Sequence, residues 1–178
     1  MGKDKPQSKF YFKGMSLIFR VRDLLLPRRD VLEEVGIKPG FHVLDYGCGP
    51  GGYISTLAKL VGTSGRIYAL DMHPLAIRAA QKIALREGIE NLEAIHSDRE
   101  TGLPDNSLDV VLLYDVFHGL SDPNGVLEEI HRVLKPDGIL SFSDHHISED
   151  RIISRVTETG LFRLSGKGNK TYSFLKEE

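Results

Sequence analysis

The stretch from Val43 to Tyr53, Val-Leu-Asp-Tyr-Gly-Cys-Gly-Pro-Gly-Gly-Tyr, leaves this chain few folds to choose from. A short apolar run over residues 41–44 ends at Asp45, and four glycines then fall within the six positions from Gly47 to Gly52. Helical periodicity follows near Gly52, with Ile54, Leu57, Ala58 and Val61 spaced to share one face. The order is strand, glycine turn, helix. Glycines in such a turn let the backbone adopt φ > 0 and, lacking Cβ, bring it close to a ligand at the helix N-terminus.

Gly-x-Gly-x-Gly alone does not say which ligand. Asp45, two residues ahead of the first glycine, narrows the choice, because a pyrophosphate at the helix start has no use for a negative charge there. A ligand that carries an ammonium and a carboxylate but no phosphate suits both Asp45 and the amides of the loop.

Taken in order, residues 10–22 mix aromatic, aliphatic and basic side chains, as a packing helix or an N-terminal arm would. Pro27 is placed to open the next helix, whose apolar face is Val31, Leu32 and Val35 and whose stop is Gly36. Lys38-Pro39-Gly40 turns into the first strand. A second strand over 66–70 ends at Asp71, and Ala76, Ala79, Ala80, Ile83 and Ala84 mark a helix from Pro74 to Gly88. The third strand, Leu92–His96, ends beside Asp98, and residues 99–107 are too few and too polar for a full crossover helix.

Residues Leu108–Tyr114 are nearly all apolar, the pattern of a strand buried on both faces. Asp122 and Pro123 supply an N-cap and a first helical residue, and Val126, Leu127, Ile130, Val133 and Leu134 the buried face. Residues 135–138 read as the turn that ends this helix, 139–143 as the fifth strand, Ser148 as the cap of a helix to Gly160, and 162–175 as a hairpin turning at 166–169. Strands alternating with helices and a closing hairpin predict an open doubly wound α/β sheet. Two segments are expected, a helical arm over 1–36 and one α/β domain over 37–178, with no internal repeat.

In open α/β sheets ligands sit at the carboxyl ends of the strands. Asp45, Asp71, Asp98 and Asp115 end or closely follow strands one to four, so that four carboxylates gather on one edge. Any one of them alone also reads as a turn or cap aspartate. Asp71 lies 24 positions after Gly47, near the spacing at which an acidic side chain accepts ribose hydroxyls. Met72 beside it either packs on a bound base or belongs to the core.

The run Asp45-Tyr46-Gly47-Cys48-Gly49-Pro50-Gly51 resembles the first motif of class I S-adenosylmethionine-dependent methyltransferases, in the small-molecule and quinone-biosynthesis subgroup. The resemblance covers roughly residues 38–144. It implies a Rossmann-like, mostly parallel sheet of seven strands with the last antiparallel, and S-adenosyl-L-methionine as cofactor. It also implies that Asp98 lies near the adenine amino group with Arg99 flanking the ring, and that Tyr114 faces the methionine moiety through its backbone carbonyl.

Methyl transfer from a sulfonium is a direct displacement, so the protein must chiefly position the acceptor and exclude water. A base is required only where the acceptor atom loses a proton. His118, Asp115 and His145 follow strands four and five on the cofactor edge and are the candidates, His118 first because imidazole titrates near neutrality. Each also reads as an ordinary polar loop residue. Asp144-His145-His146 invites a metal reading, but consecutive residues seldom ligate one ion, and no metal is expected.

Composition sets the remaining bounds. A net charge of −2 gives no general drive toward nucleic acid. The absence of an apolar core in residues 1–9, the lack of a membrane-length apolar run and the single cysteine, Cys48, point to the cytoplasm. Without an inserted cap, acceptor contacts are expected from residues 1–26, 115–122 and 144–147. The expected activity is therefore methylation of a small-molecule oxygen, nitrogen or carbon, with a homodimer as the candidate assembly. The alternative is a non-catalytic cofactor-binding sensor or partner subunit.

Overall fold

β1 (His42–Tyr46) lies inside the sheet, and Val43, Leu44, Asp45 and Tyr46 are all buried there. A computed structural model describes residues 28–177; the expected arm helix at 10–22 and the helix-opening Pro27 lie outside them. The elements that follow α1 (Arg28–Val35) and β1 are α2 (Ile54–Val61), β2 (Arg66–Asp71), α3 (Pro74–Glu87), β3 (Leu92–His96) and β4 (Leu108–Tyr114). A single 3₁₀ turn, Phe117–Gly119, leads to α4 (Pro123–Val133), β5 (Leu134–Ser143), α5 (Glu149–Thr157), β6 (Phe162–Lys167) and β7 (Tyr172–Lys176).

All seven strands form one sheet in the order β3-β2-β1-β4-β5-β7-β6. β1 to β5 run parallel, and β7 enters antiparallel between β5 and β6. Chain order reverses between β1 and β4, so the switch point where doubly wound sheets open a crevice lies at the carboxyl ends of those two strands. The expected seven-stranded, mostly parallel sheet with its closing hairpin is the one observed.

Alternation along the strands divides the core between two layers. Val43, Ile67, Val110 and Leu112 face α1 and α2, which contribute Leu32, Val35, Leu57 and Val61. Leu44, Leu70, Val111, Leu113 and Phe142 face the other layer, where α4 contributes Val126, Leu127, Ile130 and Val133. Burying each of those α4 side chains is worth about 2 kcal/mol, which outweighs the modest propensity of an eleven-residue helix.

α2 begins at Ile54, where the helical periodicity starts, because the glycine segment continues as turns through Tyr53. Two local expectations change. Residues 135–138 do not separate helix from strand; Leu134 already pairs with Leu108, and those four residues bulge out before Ile139 pairs with Val110. Ser148 occupies the N-cap position of α5 without a side-chain cap bond, and Glu149 and Asp150 supply the negative charge that the helix start favours.

The connection 99–107 has no helix, as expected, and α4 holds it down. Thr101 donates its amide and hydroxyl to Glu129, at 2.8 and 2.6 Å, and Arg132 donates to the Leu103 carbonyl at 2.9 Å. Burial pushes the Glu129 carboxyl up, but the bonds from Arg132 and Thr101 outweigh it and keep the group below the usual carboxylate range. At the opposite corner Glu34 of α1 accepts from the amides of Asn169, Lys170 and Thr171 and from the Thr171 hydroxyl, fastening α1 to the β6–β7 turn.

Candidate active site

The glycine segment leaves β1 and folds at once onto β2. Gly47 and Cys48 both donate their amides to the Leu70 carbonyl, at 2.8 and 2.9 Å, and Gly51 donates to the Cys48 carbonyl at 2.9 Å. Gly49 donates to Asp71 Oδ2 at 2.9 Å. This revises the expectation that the loop amides await an anionic ligand. Backbone N–H groups this close to the core must be paired, and here the chain itself pairs them.

What the glycines provide is space and backbone angle. Gly47, Gly49 and Gly51 have φ of +79°, +51° and +81°. A Cβ on Gly47 would sit 2.3 Å from a Val116 methyl, and one on Gly51 2.8 Å from the terminal methyls of Ile54 and Ile83. Among the described residues, a Cβ on Gly49 would meet nothing nearer than the Gly47 carbonyl at 4.0 Å. Gly47 and Gly51 are thus used by the protein's own packing, whereas none of the described side chains packs on Gly49.

Beside Gly49 stands Asp71, whose two oxygens accept from that glycine and, at 2.7 Å, from His73. A carboxylate has about four acceptor positions, so one on each oxygen is left for ligand hydroxyls. Burial pushes the Asp71 carboxyl up, against the pull of both amides. Asp45 is buried at 2% exposure in the tip of β1. Burial, with Asp45 and Asp71 nearby, pushes the Cys48 thiol well up, so that it stays protonated and is no nucleophile.

The positions expected around an adenine divide. Met72 is half-buried after β2, and its carbonyl is 3.0 Å from His96 Nε2. Asp98 is exposed after β3, and the Arg99 guanidinium is drawn aside to Asp122 at 3.1 Å and Glu100 at 3.4 Å. Tyr46 sends its side chain to the α4 side of the sheet, its hydroxyl donating to the Arg99 carbonyl at 3.2 Å. The Tyr114 side chain turns into the opposite layer, with its hydroxyl 2.7 Å from Ser141 Oγ and its ring edge-on to Tyr53. Burial pushes that hydroxyl well above the usual phenol range, so the side chain is a packing group and only the main chain of Tyr114 is left at the sheet edge.

The loops after β4 and β5 are tied together by two Asp–His pairs that cross. His118, from the β4 side, has Nδ1 3.0 and 3.1 Å from the carboxylate oxygens of Asp144, from the β5 side. Asp115, from the β4 side, meets His145 Nδ1 and also accepts the His145 amide at 3.2 Å. His146 lies between, its ring centroid 4.2 Å from His118 and 3.9 Å from His145. Asp115 is held at φ +55° by an amide bond of 2.7 Å to the Ser143 carbonyl, an uncommon conformation for a non-glycine residue.

The three candidate bases are therefore one cluster. Val116 joins it to the cofactor side, since the residue that packs on Gly47 sits between Asp115 and His118 in sequence. A glycine bend, carboxylates at the β1 and β2 tips and imidazoles after β4 and β5 thus lie at the carboxyl ends of the strands around the switch point. Residues 37–176 match the family described as methyltransferase domain.

The chain belongs to this methyltransferase domain family. Among its relatives, the demethylmenaquinone methyltransferase of Geobacillus stearothermophilus is 31% identical over 130 residues, 72% of this chain and 56% of the relative. The ubiquinone/menaquinone biosynthesis C-methyltransferase of Hydrogenovibrio crunogenus is 35% identical over 159 residues, 84% of this chain and 63% of the relative. The chain thus spans little more than half the length of such relatives. Among solved structures, a SAM-dependent methyltransferase from Aquifex aeolicus superposes with a TM-score of 0.81 at 27% identity, covering 96% of this chain and 98% of that one.

For a methyltransferase domain of this kind the cofactor is S-adenosyl-L-methionine, and the residues at the bend fit it: Gly49 has no Cβ to keep a ligand away, and Asp71 beside it has acceptor capacity left. Among the described residues no group of three or more His, Cys, Asp or Glu side chains is arranged to hold a metal ion, and no helix is long and apolar enough to cross a membrane. Sequence reasoning named Asp144 and His146 only for a metal reading and did not foresee that they join His118, Asp115 and His145 in one cluster. The strand-end rule that selects Asp45, Asp71 and Asp115 selects Asp144 equally when it is applied to β5.

Proposed function

We propose that this chain transfers the methyl group of S-adenosyl-L-methionine to a small aromatic acceptor of the hydroquinone type, at ring carbon. The observation that carries the reading is the placement of two sets of groups at the carboxyl ends of neighbouring strands, Gly49 with Asp71 and the imidazoles of His118, His145 and His146, joined by the approach of Val116 to Gly47. A ring carbon of a hydroquinone becomes a good nucleophile when a hydroxyl proton is drawn off, and a C–H proton must leave after methylation. Both steps call for a base. The names of the two quinone-related relatives support the same acceptor class.

In this reading Asp71 takes the ribose hydroxyls, Asp45 acts electrostatically on the ammonium, Gly47, Cys48 and Gly51 shape the bend, and Gly49 leaves the space. Met72, Asp98 and Arg99 border the base, and Tyr46 and Tyr114 contribute through the main chain at the strand tips. His118 is the first candidate base, with Asp115 and His145 as the second pair. The cofactor, when bound, supplies an electrophilic methyl carbon whose bond to sulfur breaks with its electron pair staying on sulfur. The protein's residues hold the acceptor about 3 Å from that carbon and receive its proton.

Calorimetry with S-adenosyl-L-methionine and S-adenosylhomocysteine tests the cofactor half, and turnover of a reduced, ring-unmethylated prenyl-naphthoquinone tests the acceptor half. Binding of both cofactor forms, lost in Asp71→Ala, is the expected result. No heat with either form at millimolar concentration would end the reading.

A further inference from the structure

The two crossed Asp–His pairs are not equivalent. The Asp144 side chain is 0% exposed and His118 is 39% exposed, whereas Asp115 and His145 are 23% and 60% exposed. Asp144 also accepts backbone amides from both loops, His118 N at 3.1 Å and His146 N at 3.0 Å. With the ring nitrogen of His118, three donors converge on a carboxylate that water does not reach. Such a group accepts only, so the nitrogen facing it carries the proton and the other ring nitrogen of His118 keeps its lone pair. A buried, fully bonded carboxylate behind an imidazole both fixes the tautomer and stabilises the imidazolium that forms on proton uptake.

Resting on the proposed function, we infer that Asp144 is the positioning residue that makes His118 the proton acceptor of this site, with Nδ1–H bound to Asp144 and Nε2 presented to the methyl acceptor. The acceptor's O–H bond breaks heterolytically, its proton passing to His118 Nε2 and its electron pair, delocalised through the ring, making the ring carbon that bonds the methyl nucleophilic; the C–H bond at that carbon breaks after methylation, its pair restoring the aromatic ring and its proton returning to the oxygen. Positive charge lost at sulfur reappears on the imidazole, next to the Asp144 carboxylate, and no oxidant or further reactant is needed. Asp144 touches neither reactant; it acts through His118. Its two amide bonds also fix the height of the β4 loop against the β5 loop, so the same side chain sets where His118 stands and how its ring is protonated.

Two measurements separate this role from a merely structural one. In ¹⁵N spectra of the S-adenosylhomocysteine complex, with His118 assigned by its loss in His118→Gln, the neutral ring is expected as the Nδ1–H tautomer, and in Asp144→Asn as a mixture of both. For turnover of the reduced prenyl-naphthoquinone, Asp144→Asn is expected to lower kcat on the order of 10²-fold with cofactor affinity unchanged, and to add nothing further in the His118→Gln background. Wild-type His118 found as the Nε2–H tautomer would overturn the inference. So would an Asp144→Asn loss that is as large without His118 as with it. Should Asp144→Asn fail to fold, since asparagine gives the two loop amides one oxygen fewer, the wild-type tautomer alone decides. A wild-type protein that binds no S-adenosylhomocysteine refutes the proposed function instead, and the tautomer, read without ligand, still stands or falls by itself.

Discussion

Gly47 and Gly49 are two residues apart, have the same sign of φ and read identically in sequence, yet they have different tasks. A methyl group on Gly47 collides with Val116 at 2.3 Å, and through it disturbs the loop that leads to His118; a methyl group on Gly49 meets no side chain of the described residues. For both, an L side chain in the left-handed region costs about 1–2 kcal/mol. Gly49→Ala should therefore fold with only that loss of stability and lose cofactor affinity by at least tenfold, because the new methyl occupies the ligand's room. Gly47→Ala should lose about 3 kcal/mol or more, overpacking being added to strain. Thermal unfolding and calorimetry with S-adenosylhomocysteine on both variants check the contrast, and equal melting losses would refute it. The glycine pattern itself shows in the sequence, but which glycine faces ligand depends on Val116, sixty-nine positions downstream of Gly47.

At the scale of elements, the chain repeatedly uses one buried or half-buried carboxylate to hold a segment that cannot hold itself. Glu129 fastens the helix-free connection between β3 and β4, and Glu34 fastens α1 to the β6–β7 turn with four bonds. Gly168 is part of the second fastening, since a Cβ there would lie 2.2 Å from the Glu34 carboxylate. Glu34→Ala and Gly168→Ala should each destabilise the chain by about 2 kcal/mol, and the double variant by scarcely more than either alone, as both break the same contact. Denaturant melts of the three variants test this; additive losses would show that the two residues act separately. Helix and strand positions in this region were legible from periodicity and from Asp122 and Pro123, whose cap is present with Asp122 accepting from the Gly125 amide at 3.0 Å. The bulge at 135–138 was not, because Lys-Pro-Asp-Gly has the composition of a turn whether it precedes a strand or interrupts one.

Over the whole molecule, the burial of one carboxylate at the site ties stability to pH. Asp71 has its carboxyl pushed up by burial, so its ionisation opposes folding: its contribution is favourable below the unfolded value of about 3.9 and is lost as pH rises through the folded value. Asp71→Asn should flatten the stability of the cofactor-free protein in the window just above pH 4 while weakening cofactor binding, and pH-dependent urea melts with and without S-adenosylhomocysteine would check both. A wild-type stability that climbs through that window with no contribution from Asp71 would contradict the assignment. The sequence by itself determined the local alphabet of this protein, the strand-turn-helix at Val43 to Tyr53, the two periodicities and the carboxylates at the strand ends, because each is settled by residues within a few positions of one another. Only the tertiary structure decided that the loop amides bond to β2, that Tyr114 is a packing group, and that His118 meets Asp144 while Asp115 meets His145. Those pairings join residues 22 to 30 positions apart through the β1–β2 and β4–β5 registers, and register is fixed by the packed sheet as a whole.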